Sequence, residues 1–199
     1  LSEPSIKFLR DQGLIFSPNG RNCIANCSNL DIDILFLRDD DISEYVERGI
    51  ADFGIVGENI LLEKRARVDV LGKLNFGLCK LIIAIPEKSN CRELADLEGK
   101  RIATTYPDLL RQFLQIQRIK AEIIYIKGSA EIAPSLNLSD AICDLVQTGK
   151  TLKENQLKPL ATILESQAVL IQTPYPKRNL KQYELFLTKP LDGLGVASL

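Results

Sequence analysis

The chain has 199 residues, of which 45% are hydrophobic and 26% charged, and its formal net charge is −1. This length allows one large domain or two small ones, and the composition is that of a soluble globular protein. A nearly neutral chain offers no basic surface to nucleic acid, and no apolar run approaches the roughly 18 residues of a membrane span.

Periodicity and turn residues organise the first half of the chain into short alternating elements. In chain order they predict a helix at 1–13, strands at 14–16, 24–25 and 31–37, a helix at 42–49, a strand at 51–57 and a helix at 58–67. Arg38 opens a run of four charges, which is usually a solvated corner. The turn at Gly57 leads directly into a helix at Glu58, and such a turn favours anions.

The second half alternates in the same way. The pattern predicts one long apolar strand at 74–85, a strand from 101, a helix from 107, a strand at 122–127, a short helix at 128–134, a strand at 140–146, a helix from 151 and strand material at 160–171. The long strand could run from one domain into another. Strand–turn–helix units that recur in this way predict an α/β fold with largely parallel sheets.

The segment 140–152 carries the clearest chemistry. Its strand breaks at Thr148 and Gly149, and a helical pattern resumes at Thr151, so backbone N–H groups, the positive helix end and hydroxyl donors converge on one anion site. Asp144 lies just upstream, where its carboxylate can accept hydrogen bonds from the vicinal hydroxyls of a sugar. The same pattern also fits a buried strand followed by an ordinary helix that Thr148 or Thr151 merely caps.

The cysteines and the absence of histidine limit the possible chemistry. Cys23 and Cys27 are the only closely spaced pair among five cysteines, and no histidine is present to complete a zinc site. Free thiols in a reducing cytoplasm are therefore expected, and the chain shows no signal peptide. Catalysis would depend on carboxylates, bound cations, backbone dipoles and positioning, since Ser-His and Cys-His chemistry is excluded.

The run from Glu131 to Leu152 resembles the signature of ATP phosphoribosyltransferase, the first enzyme of histidine biosynthesis. Similar motifs occur in family order across residues 1–187: Leu1-Ser-Glu, Arg38-Asp-Asp-Asp-Ile, Asp52-Phe-Gly-Ile-Val-Gly-Glu, Phe76-Gly-Leu-Cys and Arg101-Ile-Ala-Thr-Thr-Tyr-Pro. Asn137 stands where the signature usually has glycine. Because asparagine tolerates positive φ better than most residues, the turn is expected to form.

The resemblance implies that N1 of the ATP adenine attacks C1 of 5-phosphoribosyl 1-pyrophosphate (PRPP), releasing pyrophosphate and forming phosphoribosyl-ATP. Mg²⁺, carried with PRPP and ATP rather than held by assigned protein ligands, would stabilise the departing charge. The implied catalytic residues are Glu131 and Asp144. The implied substrate-binding residues are Asp140, Thr148, Gly149, Lys150 and Thr151 for PRPP, and Arg38, Asp52, Gly57 and Glu58 for ATP.

The same resemblance implies two lobes like those of type II periplasmic binding proteins, with the ligands in the cleft between them. Lobe I, on the ATP side, would comprise residues 1–82 plus 162–187, and lobe II, on the PRPP side, residues 83–161. The tail 188–199 has no assignment. The motifs are similar to the long form of the family, so the chain is expected to be a catalytic core, incomplete at both ends and without the histidine-sensing regulatory domain.

The implied protein is a cytoplasmic homo-oligomer, a dimer or a hexamer, whose full-length form is inhibited by histidine and which has neither nucleic-acid nor membrane partners. The rival interpretation is a non-catalytic small-ligand binding or regulatory protein on the same two-lobed fold, because a fold does not determine a function. A carboxylate upstream of a phosphate loop favours PRPP over an amino acid.

Overall fold

The computed structural model describes residues 1–18, 23–176, 180 and 183. The helices are α1 (Ser2–Asp11), α2 (Asp39–Glu47), α3 (Glu58–Lys64), α4 (Pro107–Gln117) and α5 (Lys150–Glu154), with 3-10 turns at Leu94–Leu97, Ala130–Ile132 and Pro134–Leu136. The strands are β1 (Ile24–Asn26), β2 (Asp33–Leu35), β3 (Phe53–Gly57), β4 (Asp69–Lys73), β5 (Cys79–Pro86), β6 (Arg101–Thr104), β7 (Glu122–Tyr125), β8 (Ala141–Val146), β9 (Leu157–Ser166) and β10 (Ala168–Gln172). Within these ranges no helix has the length and apolarity needed to cross a membrane.

The described residues group into two compact units. The first contains 1–61, 65–77 and the described residues from Gln167 onward, and the second contains 62–64 and 78–166. Strand β5, which the predicted lobe bounds divide at residue 82, lies wholly in the second unit. The lobe bounds of the protein stay a prediction, and the tail 188–199 lies outside the described residues.

The first unit contains a three-stranded sheet in the order β3-β10-β4, in which both pairs are antiparallel. Phe8 of α1 packs with Leu74, Ala168 and Leu170 on this sheet. Strands β1 and β2 form a separate antiparallel ribbon over a small core of Leu14, Phe16 and Ala25. The predicted strand at 14–16 is wrong, because these residues lie in a loop that packs on the ribbon.

The second unit contains a five-stranded sheet in the order β7-β6-β8-β5-β9. Only β6 pairs in parallel, with β7 on one side and β8 on the other. The prediction of largely parallel sheets is therefore wrong. Parallel pairs form where α4 or the 3-10 turns carry the chain back over the sheet, whereas β5 and β9 pair antiparallel with their neighbours because they bring the chain into and out of this unit.

Two cores cover the faces of the five-stranded sheet. On one face α4 buries Leu109, Leu110 and Leu114, with Phe113 partly buried, so the apolar side of this helix packs on the sheet. On the other face Ile142 of β8 packs with other apolar side chains, Ile82, Ala84, Ala130, Leu152 and Leu157. This second face therefore brings the 3-10 turn at Ala130–Ile132 and helix α5 over β8.

The predicted long strand at 74–85 is wrong at its start, because residues 74–78 form a loop between β4 and β5, which lie in different units, and only 79–85 belong to β5. Asn75 and Gly77 adopt φ angles of 55° and 65°, which a continuous strand cannot contain. The backbone N–H of Asn75 donates to Gln167 Oε1 at 3.0 Å, which stabilises the break. The segment predicted as strand at 160–171 contains the end of β9, which lies in the second unit, and most of β10, which lies in the first.

The turn before β8 confirms the interpretation of Asn137. This residue has φ 57° and ψ 21°, the left-handed conformation that glycine adopts most easily and asparagine better than most residues. Its carbonyl oxygen accepts a hydrogen bond from Arg101 Nη1 at 2.9 Å. The departure from the family signature at this position is therefore compatible with the turn.

Candidate functional site

The loop after β8 has the predicted strand–turn–helix geometry. Gly149 adopts φ 74° and ψ 5° and is the N-cap residue of α5. An added Cβ would meet nothing within 4 Å, so the backbone conformation, rather than crowding, favours glycine here. The space beside this peptide is open, which allows a ligand to approach the backbone closely.

The first turn of α5 presents backbone donors. No side chain of the described residues caps this helix, and the N–H of Lys150 reaches Thr148 Oγ1 only at 3.5 Å. The N–H groups of Thr151 and Leu152 have no hydrogen-bond acceptor in the part of the chain that the structure describes. The ammonium group of Lys150 is largely exposed and lies 3.7 Å from a Glu154 oxygen. This arrangement suits an anion and does not support the alternative in which the threonines merely cap the helix.

The carboxylate of Asp144, just upstream of this loop, interacts electrostatically with that of Glu131. Asp144 stands opposite Ile82 in the sheet, and its Oδ1 accepts the N–H of Leu145 at 2.8 Å. Burial raises the pKa of the Asp144 carboxyl, and the negative charge of Glu131 adds to the increase. Glu131 belongs to the 3-10 turn that packs on β8. Glu131 is therefore close enough for its charge to act on Asp144, the other carboxylate that the resemblance implies as catalytic.

Asp140 lies at the other end of β8. Its Oδ2 accepts the backbone N–H of Arg101 at 2.9 Å and Nε at 3.2 Å, and its Oδ1 accepts Nη2 at 3.0 Å. These hydrogen bonds from Arg101 lower the pKa of the Asp140 carboxyl. At about 3.3 Å per residue, β8 separates Asp140 from the loop after Val146 by roughly 20 Å. The structure does not bring Asp140 together with Thr148, and its contacts join the starts of β6 and β8.

The other predicted residues lie in the first unit. Arg38 is exposed and precedes α2, which packs on β3. Gly57 ends β3 with φ −69°, an ordinary conformation, but a Cβ there would collide with the side chain of Asn59. Glu58 begins α3; its N–H donates to the Gln167 carbonyl at 2.9 Å, and its carboxylate lies 3.2 Å from Lys73 Nζ.

Asp52 is not brought together with Gly57 and Glu58. It precedes β3, whereas Gly57 and Glu58 follow along the strand at its other end, roughly 20 Å away at ordinary strand rise. The backbone carbonyl of Asp52 accepts the N–H of Thr173 at 3.0 Å. One site that uses Asp52 and Glu58 together would therefore have to extend along the whole of β3.

Sequence reasoning missed Glu63. Its carboxylate accepts the N–H of Asp108 at 2.9 Å with Oε1 and that of Leu109 at 2.9 Å with Oε2, so it caps helix α4. Pro107 marks the start of α4 in the sequence, but a capping group 44 positions earlier leaves no local pattern. The signal that sequence reasoning could have used is the absence of Ser, Thr, Asp or Asn at Tyr106, the N-cap position.

The cysteines take no part in this site. All five are free thiols, which confirms the prediction. Cys143 lies on the buried face of β8, and burial raises its pKa to about 12, although a hydrogen bond with Thr104 acts in the opposite direction. A thiol with such a pKa is not ionised near neutral pH and is a poor nucleophile.

Comparison with known proteins then decides the family. A family model described as ATP phosphoribosyltransferase matches residues 38–189. The chain belongs to this family. A relative named ATP phosphoribosyltransferase from Cytophaga hutchinsonii is 44% identical over 174 residues, which cover 87% of this chain and 61% of the relative. The chain therefore spans about three fifths of the length of this ATP phosphoribosyltransferase.

Solved structures show the fold. The ATP phosphoribosyl transferase (HisG:HisZ) complex from Thermotoga maritima matches with a TM-score of 0.76 and 29% identity, over 91% of this chain and 87% of that one. An alkanesulfonate-binding protein, SsuA from Xanthomonas axonopodis pv. citri, matches with a TM-score of 0.54 and 20% identity, over 75% of this chain and 56% of that one. The predicted α/β fold of the type II periplasmic-binding-protein kind is confirmed.

Proposed function

We propose that this protein is the catalytic part of an ATP phosphoribosyltransferase, which condenses ATP with PRPP to phosphoribosyl-ATP and pyrophosphate in the first step of histidine biosynthesis. The observation that carries the proposal is the loop after β8, where the open first turn of α5 follows Asp144 closely in the chain, within the segment that resembles the family signature. A phosphate group and a sugar with vicinal hydroxyls match these two features.

The 5-phosphate of PRPP would bind to the backbone N–H groups of α5. Thr148 and Thr151 supply hydroxyls, Lys150 supplies a positive charge, and Gly149 lets the backbone approach the phosphate. The partial positive charge of a helix N-terminus favours a dianion at this place. The open space at Gly149 supports this assignment.

Asp144 and Glu131 would act at the ribose. Asp144 accepts hydrogen bonds from the ribose hydroxyls, and both carboxylates favour the positive charge that develops at C1 as pyrophosphate leaves. Burial, with a contribution from the charge of Glu131, raises the pKa of Asp144 in the free protein, and hydroxyl donors from PRPP would favour its ionised form. The contribution of the protein is chiefly orientation and charge complementarity.

Mg²⁺ would enter with PRPP and ATP. Among the described residues no group of three or more acidic or cysteine side chains is placed to hold a metal ion. Bound in this way, the ion neutralises charge on the leaving pyrophosphate.

The ATP side rests on residues of the first unit. Arg38 has an exposed side chain for a triphosphate, and Gly57 and Glu58 lie together at the end of β3. Asp52, at the other end of that strand, would need a separate contact with the nucleotide. Asp140 is better explained by its three hydrogen bonds with Arg101 than by a role in substrate binding.

The protein would act in the cytoplasm as a homo-oligomer, a dimer or a hexamer, and histidine would inhibit its full-length form. The related structure from Thermotoga maritima is that of a complex, which supports assembly in general. The rival interpretation, a binding protein without catalysis, has the likeness to SsuA in its favour, and that likeness extends to the fold alone.

The deciding experiment supplies the full-length protein with ATP, PRPP and Mg²⁺ and measures pyrophosphate release, with each substrate omitted in turn as a control. We expect release only with both substrates, together with phosphoribosyl-ATP detected by mass spectrometry. If the protein binds both substrates and releases no pyrophosphate, the transferase proposal fails and the binding-protein interpretation replaces it.

A structural role for Asp140 gives a separate prediction. Asp140→Asn should lower the midpoint of thermal unfolding at pH 7 by a few degrees and leave PRPP affinity within about threefold of wild type. Because the pKa of Asp140 is lowered in the folded protein, its contribution is present above the ordinary aspartate range and is lost as pH falls through the folded pKa. The difference between variant and wild type should therefore shrink in acid. A stable variant that loses most of its PRPP affinity would instead place Asp140 on the ligand.

A further inference from the structure

The second unit contains two helix N-termini at the same edge of its sheet. Strands β6 and β8 are parallel neighbours, with Thr104 in register with Cys143, so their carboxyl ends lie at the same edge of the sheet. Helix α4 follows β6, and helix α5 follows β8. PRPP carries anionic groups at both ends, the 5-phosphate and the pyrophosphate, and either could in principle be attracted by either helix.

The backbone N–H groups in the first turn of α4 all have hydrogen-bond acceptors. Pro107 has no N–H, Asp108 and Leu109 donate to the two oxygens of Glu63, and the N–H of Leu110 donates to the Tyr106 carbonyl at 3.1 Å. Each N–H group of the first turn that would otherwise lack an acceptor is therefore already hydrogen-bonded. The contrast with α5, where the N–H groups of two successive residues have no acceptor among the described residues, is therefore complete.

Glu63 is well placed to keep anions away from the N-terminus of α4. It is partly buried, whereas its neighbours Leu62 and Lys64 are exposed, and residues 62–64 group with the second unit, to which α4 belongs. An anion at α4 would have to displace a carboxylate that makes two hydrogen bonds, and a phosphate beside that carboxylate would meet a like charge.

We propose that Glu63 is a specificity-determining residue that closes the N-terminus of α4 to phosphate and so directs PRPP to bind with its 5-phosphate at α5. This inference rests on the proposed function for the identity of the substrate. Without Glu63, a phosphate group of PRPP could bind at α4 in an unproductive orientation. Closing α4 therefore selects one orientation of a substrate that has phosphate at both ends.

The first test measures hydrogen exchange at Asp108 and Leu109 with and without inorganic phosphate. In Glu63→Ala these two amides should exchange faster, and phosphate should slow them again by about tenfold. Glu98→Ala is the matched control, because Glu98 Oε2 accepts the N–H of Lys120 at 2.8 Å but caps no helix there. Wild type and Glu98→Ala should show no phosphate effect at Asp108 and Leu109.

The second test is kinetic. Unproductive binding of PRPP lowers kcat and KM by the same factor and leaves kcat/KM unchanged, whereas a merely structural defect has no reason to do so. We expect this pattern for PRPP in Glu63→Ala, with a several-fold fall in both constants. Glu63→Gln, which keeps one oxygen acceptor and the side-chain volume, should show a smaller change and serves if the alanine variant does not fold.

These experiments can reject the role of Glu63 and the proposed function independently of each other. If phosphate leaves the exchange of Asp108 and Leu109 in Glu63→Ala unchanged, the role of Glu63 is overturned, whether or not the enzyme is active. The effect should also persist when Gly149→Val is added to Glu63→Ala, because it belongs to α4. If wild type neither binds PRPP nor releases pyrophosphate while phosphate protects α4 in the variant, the substrate assignment fails and the closure by Glu63 stands.

Discussion

Replacement of Gly149 by valine should abolish PRPP binding and leave ATP binding within about threefold of wild type. A β-branched residue at φ 74° is strained by roughly 1–3 kcal/mol, and its side chain would fill the open space through which the phosphate approaches the backbone. Separate calorimetric titrations with PRPP and ATP measure the two affinities.

Gly99→Val is the matched control for this variant. Gly99 has φ 69° and, like Gly149, nothing within 4 Å of an added Cβ, so the backbone strain should be similar. It precedes β6 and so lies at the opposite edge of the sheet from α5. We expect Gly99→Val to lose comparable stability and to retain PRPP binding. If Gly149→Val is folded and binds PRPP like wild type, the loop after β8 is not the phosphoribosyl site.

The part of the site that could be predicted from sequence is the part that is local. Gly149 follows a strand and precedes a helix within a few residues, so turn residues and the change of hydrophobic period define its conformation. The same holds for Asn137, whose positive φ is a property of the residue and its immediate turn. Elements of this kind depend little on the rest of the fold.

Strand periodicity does not show how far apart two residues with the same period lie along a strand. Asp140, which immediately precedes β8, and Asp144 follow the same two-residue period, but only Asp144 lies near the loop, because each step of two residues along a strand moves a side chain by roughly 7 Å. Asp52 and Glu58 are separated by β3 in the same way. A shared face is therefore a necessary condition for a common site and not a sufficient one.

Long-range partners could not be read from the sequence at all. Glu63 caps a helix that begins 44 residues later, and Arg101 binds Asp140 across 39 residues, in each case because strands and helices pack in a particular order. The break at Asn75 and Gly77 is similar, since an apolar run continues through it and only the pairing of β4 and β5 with different sheets reveals it. Tertiary packing overrides local preference at these positions.

Replacement of Asp144 by asparagine should weaken PRPP binding roughly ten- to a hundredfold and at the same time stabilise the free protein at neutral pH. The loss of affinity follows because the hydrogen bond to a ribose hydroxyl becomes weaker, which costs on the order of 1–3 kcal/mol. The variant keeps the volume of the side chain and the hydrogen bond from the N–H of Leu145. The gain follows because burial, with a contribution from Glu131, raises the pKa of Asp144 in the folded protein.

The pH dependence separates these two effects. Because the folded pKa of Asp144 is raised, wild type has its full stability below the ordinary aspartate range and loses part of it as pH rises through the folded pKa. Asparagine does not titrate, so its advantage should be absent in acid and grow toward neutral pH. Denaturant unfolding of both proteins across this range measures the difference. A variant that is less stable than wild type at pH 7, or that binds PRPP equally well, would show that Asp144 is held by a structural partner and not reserved for the ribose.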